Sequence, residues 1–338
     1  MGKVTLSDVA QAAGVSIATA SWAINDNKKV RIPEATRVKV RKVADRLGYR
    51  PNALAKGLAQ GASSLIGFVA DGVATTPFAG QMIAGAQEEA WAHGKLLLVV
   101  NTNGETALEE SALALLREHQ VQGVIYSTWY HRSVAFPKGL EGIPTVLVNC
   151  FDDDNSHAVV VPDEEQGGYA ATSELLKAGH RRVMFLNTVS PSPARTDRLK
   201  GYRRALDEWG VAFDEALVVP VRPDQDGGYA AARTVVKSGV EAVFCHNDRV
   251  AMGLYDGLKE RGVSIPDDVS VVGFDNQEVI SAHLHPALTT VGLPHYELGV
   301  LGVRRLLAMD EIPSEEGADQ LRTLVECPTV RRDSVRTL

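Results

Sequence analysis

The sequence predicts a small all-α head joined to a larger α/β body built on parallel sheets. Three observations predict it. Residues 1–49 carry helical periodicity punctuated by caps and glycine stops. From Ser64 onward, short apolar runs alternate with helical segments. Within the body a helix–glycine–strand unit occurs twice. A length of 338 residues exceeds what one core usually organises, which suits this division.

In the head, Leu6, Val9, Ala10 and Ala13 recur at i, i+3, i+4 and i+7, the apolar stripe of a short helix. Thr5 with Asp8 three residues on makes a capping-box start, and Gly14 supplies a left-handed stop. Ser16 caps a second helix over Ile17 to Asn25, with Ala20, Ala23 and Ile24 facing inward and Ile17, Ala18, Ser21, Trp22 and Asn25 facing the other way. The spacing of Ala10 and Gly14 suits two helices crossing at a tight turn. A third helix runs from Pro33 to about Leu47, with Val40, Val43, Ala44 and Leu47 as its core positions and Gly48 as its end.

Charge divides the chain in the same place. Eleven lysines and arginines against four carboxylates give residues 1–61 a charge of +7; the total of −7 leaves −14 for the rest. A basic head on an acidic body fits nucleic-acid binding, and from charge alone a merely solvated basic surface stays equally open. No run of eighteen apolar residues exists, so no spanning helix is expected, and the opening residues lack the apolar core of a secretory signal. A cytoplasmic protein without a membrane partner is the expectation. Cys150, Cys245 and Cys327 form no CxxC pair and read as buried free thiols.

The body yields strand candidates at Leu65–Ala70, Leu96–Asn101, Gly123–Tyr126, Val146–Asn149, Val159–Val161, Val183–Leu186, Val218–Val219, Val243–Cys245, Val271–Phe274 and Thr289–Val291. Helical patterns at 78–93, 106–118, 165–178, 199–209, 227–238 and 249–261 separate many of them, which predicts parallel βαβ units. Gly167-Gly168-Tyr169-Ala170-Ala171 returns as Gly227-Gly228-Tyr229-Ala230-Ala231, Gly179 as Gly239, and Asn187 as Asn247. Both asparagines end strands, where open parallel sheets bind ligands, although Asn is also common at turns.

Taken in order, Val4-Thr5-Leu6-x-Asp8-Val9-Ala10-x-x-Ala13-Gly14-Val15-Ser16-x-x-Thr19-x-Ser21, with Asn25 and Leu47-Gly48-Tyr49-Arg50-Pro51-Asn52, closely resembles the head of the lactose-repressor (LacI/GalR) family. The resemblance extends through the body at Gly179-His180-Arg181-Arg182-Val183, Arg198-x-x-Gly201-Tyr202, Asn247-Asp248-x-x-Ala251-x-Gly253, Val271-Val272-Gly273-Phe274-Asp275-Asn276 and Pro286-Ala287-Leu288-Thr289-Thr290-Val291. It implies a helix-turn-helix head over 1–49, a hinge helix and linker over 50–63, and a ligand-binding and dimerisation body over 64–338. That body would be two-lobed and periplasmic-binding-protein-like, with an N-lobe of about 64–161 and 293–322, a C-lobe of about 162–291 and 323–338, and crossings near 162, 292 and 323. The function implied is a dimeric repressor on a near-palindromic DNA operator, released by a sugar or oligosaccharide. A nucleobase-dependent corepressor response is the alternative within the family.

The same resemblance assigns residues. Thr5, Ser16, Thr19, Ser21 and Asn25 would touch phosphates, and Ile17, Ala18 and Trp22 would meet bases. These three depart from the family's polar readers: Ile17 and Ala18 offer only apolar contact, such as to thymine methyls, and Trp22 cannot fork onto guanine as an arginine does. Packing of Trp22 against the head stays open. In Pro51–Ala59, Asn52, Ala55, Lys56 and Leu58 would face the minor groove, Leu58 as the wedge that kinks the duplex. In the body, Asp275 would accept from sugar hydroxyls or cap the following turn, Arg198 would reach into the cleft with Arg195 nearby, and Asn247 would offer an amide. Asp248 reads as the cap of a helix starting at Arg249. Across the cleft, Asp71, Ser127 and Asn149 end strands, and Phe78, Trp129 and Tyr130 offer stacking faces, Trp129 the preferred one. Arg222-Pro223-Asp224 stands where many relatives carry an aromatic residue. The last stretch, Asp333 to Leu338, has no heptad leucines, so no tetramer-forming tail is expected there.

Enzyme and cofactor motifs are missing: there is no GxSxG, GxxxxGK[ST] or GxGxxG. Asp152-Asp153-Asp154-Asn155 starts like a calcium loop without its glycine and closing glutamate, and reads as a solvated loop. His283-x-His285 has no supporting metal ligands. A transport receptor shares the body but not the basic head, and a sugar-processing enzyme would need a carboxylate pair or nucleophile that cannot be placed.

Overall fold

The computed structural model describes residues 4–25, 30–49, 64–72, 80–154, 156–309 and 321–338. The chain separates into two compact units, Met1–Ser64 and Leu65–Leu338. Asn52, Ala55, Lys56, Leu58 and the whole expected hinge helix lie outside the described residues, as do Phe78 and Asn155.

The first unit holds α1 (Leu6–Ala13), α2 (Ile17–Ile24) and α3 (Glu34–Leu47). Their caps are those the residue types dictate. Thr5 and Asp8 close a reciprocal capping box on α1, Ser16 Oγ accepts from the Thr19 amide on α2, and Gly14 and Gly48 end α1 and α3 in the left-handed conformation. A core of Val9, Ala10, Ala13, Ala20, Ala23, Val40, Val43 and Ala44 joins the three helices. Alanines on α1 and α2 let the two backbones approach closely.

The second unit contains two six-stranded sheets. Its elements are β1 (Leu65–Ala70), α4 (Gly80–Ala92), β2 (Leu96–Asn101), α5 (Thr106–Glu118), β3 (Gly123–Ser133), β4 (Thr145–Phe151), β5 (Ala158–Pro162), α6 (Glu164–Lys177), β6 (Val183–Thr188), α7 (Pro193–Glu208), β7 (Val218–Val221), α8 (Gln225–Ser238), β8 (Ala242–Cys245), α9 (Asp248–Lys259), β9 (Ser270–Asp275), α10 (Glu278–Ser281), β10 (Thr289–Gly292), α11 (His295–Leu307), β11 (Arg322–Val325) and β12 (Thr329–Val330). The orders are β11-β5-β4-β3-β1-β2 and β12-β10-β9-β8-β6-β7, parallel throughout except for the antiparallel β10–β12 pair. The body is therefore two-lobed. The chain passes between lobes after β5, after β10, and between Val325 and Thr329; the third passage lies just beyond 323 because β11 still pairs with β5.

Three helix pairs use one packing device. A Cβ on Gly168 of α6 would sit 2.3 Å from the Arg198 carbonyl oxygen of α7, one on Gly228 of α8 would sit 1.9 Å from that of Val250 on α9, and one on Gly85 of α4 would sit 2.1 Å from that of Tyr296 on α11. The internal sequence echo is thus two copies of one helix–helix contact. Even the tyrosines match: Tyr169 and Tyr229 donate to Glu208 and Glu260 of the facing helices, each at 2.6 Å.

Some elements differ from the sequence expectation. α7 begins at Pro193, six residues before the pattern suggested, because Ser192 caps it and a first-turn proline is preorganised. β3 continues past Tyr126 to Ser133 through a register shift between Ser127 and Arg132. α11 and the short strands β11 and β12 had no strong single-sequence signal. All three cysteines are buried and unpaired. Asp152 is not solvated: its Oδ2 accepts from the Ser156 amide and hydroxyl and lies 3.0 Å from His157 Nδ1.

Candidate functional site

The head presents one chemically distinct face. α2 buries Ala20 and Ala23 and leaves Ile17 54% and Trp22 37% exposed, with Ala18 exposed beside them. Trp22 therefore keeps much of its ring in solvent. On α2 and its ends, Ser16 bonds Thr19 and Asn25 Nδ2 donates to Ser21 Oγ at 3.3 Å; Thr5, the cap of α1, bonds Asp8. Exposed large apolar groups ringed by hydroxyls in a basic module suit a groove with phosphate walls.

In the body, a cavity of about 420 Å³ lies between the lobes at the carboxyl ends of the strands. The first lobe supplies Trp129, Tyr130 and His131 from β3 and Asn149 from β4; the second supplies Thr188, Arg198, His246, Asn247, Arg249 and Asp275; Glu164, Leu293 and His295 come from the crossings. The β3 irregularity lies beside Trp129 and Tyr130, whose rings meet edge to face with centroids 4.7 Å apart. Asn149 and Asp275 adopt positive φ, 60° and 97°, a conformation non-glycine residues rarely take; Asp275 does so at the end of β9, and Asn149 within β4 beside the β3 register shift.

Charge in the cavity is mostly paired. Arg198, 3% exposed, donates from Nε to Glu164 Oε2 at 2.7 Å, lies 3.9 Å from Asp275 Oδ1 and stacks on the Phe274 ring at 3.5 Å. Burial pushes the Glu164 carboxyl up, but the adjacent Arg198 charge outweighs it and holds the group at about 2. Burial raises Asp275 to about 6, against the opposing pull of Arg198. Burial also drives His246 well below its ordinary value and takes His295 to about 4, so both rings are neutral near pH 7.

Two models of known families match the chain. "Bacterial regulatory proteins, lacI family" covers residues 5–52, and "Periplasmic binding proteins and sugar binding domain of LacI family" covers residues 63–324. The chain belongs to the LacI family. Among relatives, the transcriptional regulator GalR of Salmonella typhimurium is 33% identical over 338 residues, covering 98% of this chain and 96% of GalR. The transcriptional repressor PurR of Vibrio atlanticus is 32% identical, over 87% of this chain and 88% of PurR. A solved complex of the regulator CelR with cellobiose superposes with a TM-score of 0.66 at 27% identity, covering 98% of this chain and all of that one. This LacI-family chain is thus a ligand-responsive, DNA-binding transcriptional regulator, and its relatives are transcriptional regulators.

Of the body residues singled out from sequence, the fold brings Trp129, Asn149, Arg198, Asn247 and Asp275 to the cavity. Asp71, Ser127 and Arg195 do not line it. Asp71 stands behind it, accepting from the Trp129 amide at 2.9 Å and from Arg132 at 2.8 Å. Ser127 is fully buried, with Oγ 3.1 Å from Met82 Sδ. Arg195 is exposed on α7 and reaches the Val189 carbonyl. Asn187, the echo of Asn247, bonds the Arg195 carbonyl away from the cavity.

Asn247 lines the cavity as expected, but it also takes the capping role expected of Asp248. Asn247 caps α9 by accepting from the Val250 amide, and its Nδ2 donates to Pro223 O. Asp248 is inside the helix and fully buried, accepting from Thr290 Oγ1 at 2.6 Å and the Gln277 amide at 2.7 Å, and so ties α9 to the β9–β10 end. Adjacent polar residues at a helix start compete for the cap, and only the neighbouring sheet decides between them. Sequence reading missed Glu164, His131, His246, His295 and Arg249. Glu164 was legible as a carboxylate directly after a predicted crossing; the histidines carried no local signal.

Proposed function

We propose that this chain represses transcription as a homodimer on a near-palindromic operator and is released when a sugar or oligosaccharide enters the cavity between its lobes. The observation that carries the reading is the cavity itself: an aromatic edge and the Asn149 amide from one lobe face the Asp275 carboxylate and the Asn247 amide of the other, as polyhydroxylated ligands require. Residues 1–49 are the DNA-binding head, 50–63 the hinge, and 64–338 the sensor and dimerisation body. Thr5, Ser16, Thr19, Ser21 and Asn25 hold phosphates; Ile17, Ala18 and Trp22 meet base edges; Asn52, Ala55, Lys56 and Leu58 enter the minor groove. Trp129 and Tyr130 take the sugar face, with Asp275 and Asn149 on its hydroxyls.

Because the cavity walls come from both lobes, a ligand there favours one lobe arrangement by its differential affinity. A coupling of about 1–3 kcal/mol changes operator affinity by several-fold to a hundred-fold. Two symmetric half-sites call for two heads, hence a dimer. The protein works where the chromosome is, in the cytoplasm, and turns nothing over. Among the described residues no helix is long and apolar enough to cross a membrane, and no group of His, Cys, Asp and Glu is placed to hold a metal ion.

The test is a fluorescence-anisotropy titration of sugars into the protein–operator complex. Release of the duplex by a ligand that binds tightly supports induction; tightening of the complex by a nucleobase supports the corepressor reading. A tight ligand that leaves operator affinity unchanged defeats both.

A further inference from the structure

Arg198 has little left to offer a ligand, since Glu164, Asp275 and the Phe274 ring occupy its guanidinium. The second arginine of the cavity is different. Arg249 lines it from the first turn of α9, and its guanidinium has no hydrogen-bond or ion-pair partner among the described residues. Its Nε is shielded from solvent with nothing to donate to. A guanidinium that lines a cavity with a shielded, unused N–H is a ready partner for a bound anion.

Three further features point the same way. The N-termini of α7 and α9, helices of 16 and 12 residues, both open onto this cavity through Ser192 and Asn247. Each carries partial positive charge. His246, 7% exposed, also faces the cavity, and its Nδ1 has no partner. Of the two carboxylates present, Glu164 is engaged by Arg198, and Asp275 lies 3.9 Å from Arg198; Asp275 is near enough to feel the Arg249 charge, but no ion pair joins the two.

We propose that the effector is an anionic sugar, bearing a carboxylate or phosphate ester that binds the Arg249 guanidinium between the starts of α7 and α9. This deepens the sugar-effector reading above and rests on it. Arg249 fixes the charged end, while Trp129 and Tyr130 cover the ring.

The test is calorimetric titration of the full chain, at one pH and salt, with two matched sets: D-glucose, D-glucuronate and D-glucose 6-phosphate, and D-galactose, D-galacturonate and D-galactose 6-phosphate. The expected result is that an anionic member binds at least tenfold tighter than its neutral parent; the better of the two anions tells carboxylate from phosphate. In Arg249→Gln that preference should vanish, while the melting temperature stays within a degree or two of the original. A neutral parent binding as well as both anions overturns the proposal and leaves the sugar reading standing, as does a preference that survives Arg249→Gln. No binding by any of the six overturns this proposal and leaves the oligosaccharide reading to the operator-release titration.

Discussion

Glu164 accepts from Arg198 Nε at 2.7 Å, joining the first crossing between the lobes to the helix α7 of the second lobe, with both side chains almost wholly buried. His131 of the first lobe lies 3.6 Å from the other Glu164 oxygen, too far for a strong hydrogen bond but near enough to feel its charge. The cavity floor is therefore an ion pair spanning the place where the lobes meet.

Glu164→Ala should leave the buried Arg198 guanidinium without its main partner and destabilise the body by about 3–5 kcal/mol. Urea unfolding of wild type and variant reads this directly. Equal midpoints would mean that the pair contributes nothing net.

The same pair sets an acid limb. Glu164 ionises in the folded state at about 2 against an ordinary 4.5. A depressed carboxyl contributes stability that is fully present above 4.5 and is lost as pH falls towards 2. Glu164→Gln should flatten the melting-temperature profile in that window.

Asp275 has the opposite sign. Its folded value of about 6 lies above an ordinary 3.8, so its contribution to stability is full below 3.8 and is lost as pH rises through 6. Asp275→Asn should melt higher relative to wild type at pH 7 than at pH 4, and should weaken any ligand whose hydroxyls donate to the carboxylate. A constant difference in melting temperature between the two pH values would contradict the burial argument.

Gly228→Ala should push a methyl into the Val250 carbonyl, 1.9 Å away, and force α8 and α9 apart. Overpacking of this kind costs about 3 kcal/mol. Thermal melts of the variant decide it, and a substitution tolerated without loss would show that the helix pair has slack.

On the head, Ile17 and Trp22 offer methyl and ring contacts where an arginine would fork onto guanine. Selection of bound duplexes from a random pool should enrich thymine in each half-site. Replacing those thymines by deoxyuridine should weaken binding about fourfold per buried methyl, from roughly 0.8 kcal/mol each. Trp22→Arg should move the preference towards guanine. Undiminished binding to the deoxyuridine duplex would show that the methyls are not read.

Much of this architecture was legible in the residues themselves. Capping pairs such as Thr5 and Asp8, glycine stops such as Gly14 and Gly48, and apolar runs between them depend on neighbours within a few positions, so the sequence carries the head and the strand–helix alternation of the body. The doubled Gly-Gly-Tyr announced a repeated unit, and the family resemblance together with strand ends allowed Trp129, Asn149, Arg198, Asn247 and Asp275 to be named as cavity residues.

What the tertiary structure alone decided was pairing at long range. That Arg198 is spent on Glu164, 34 positions away, while Arg249 is left without a partner, depends on which helix starts converge on the cavity. Asp248 turned out to be a buried strut and Asn247 the cap, because β10 brings Thr290 to one carboxylate and not to the other residue. A side chain's type states which bonds it can make; only the packed sheets and helices determine which partner comes within 3 Å of it.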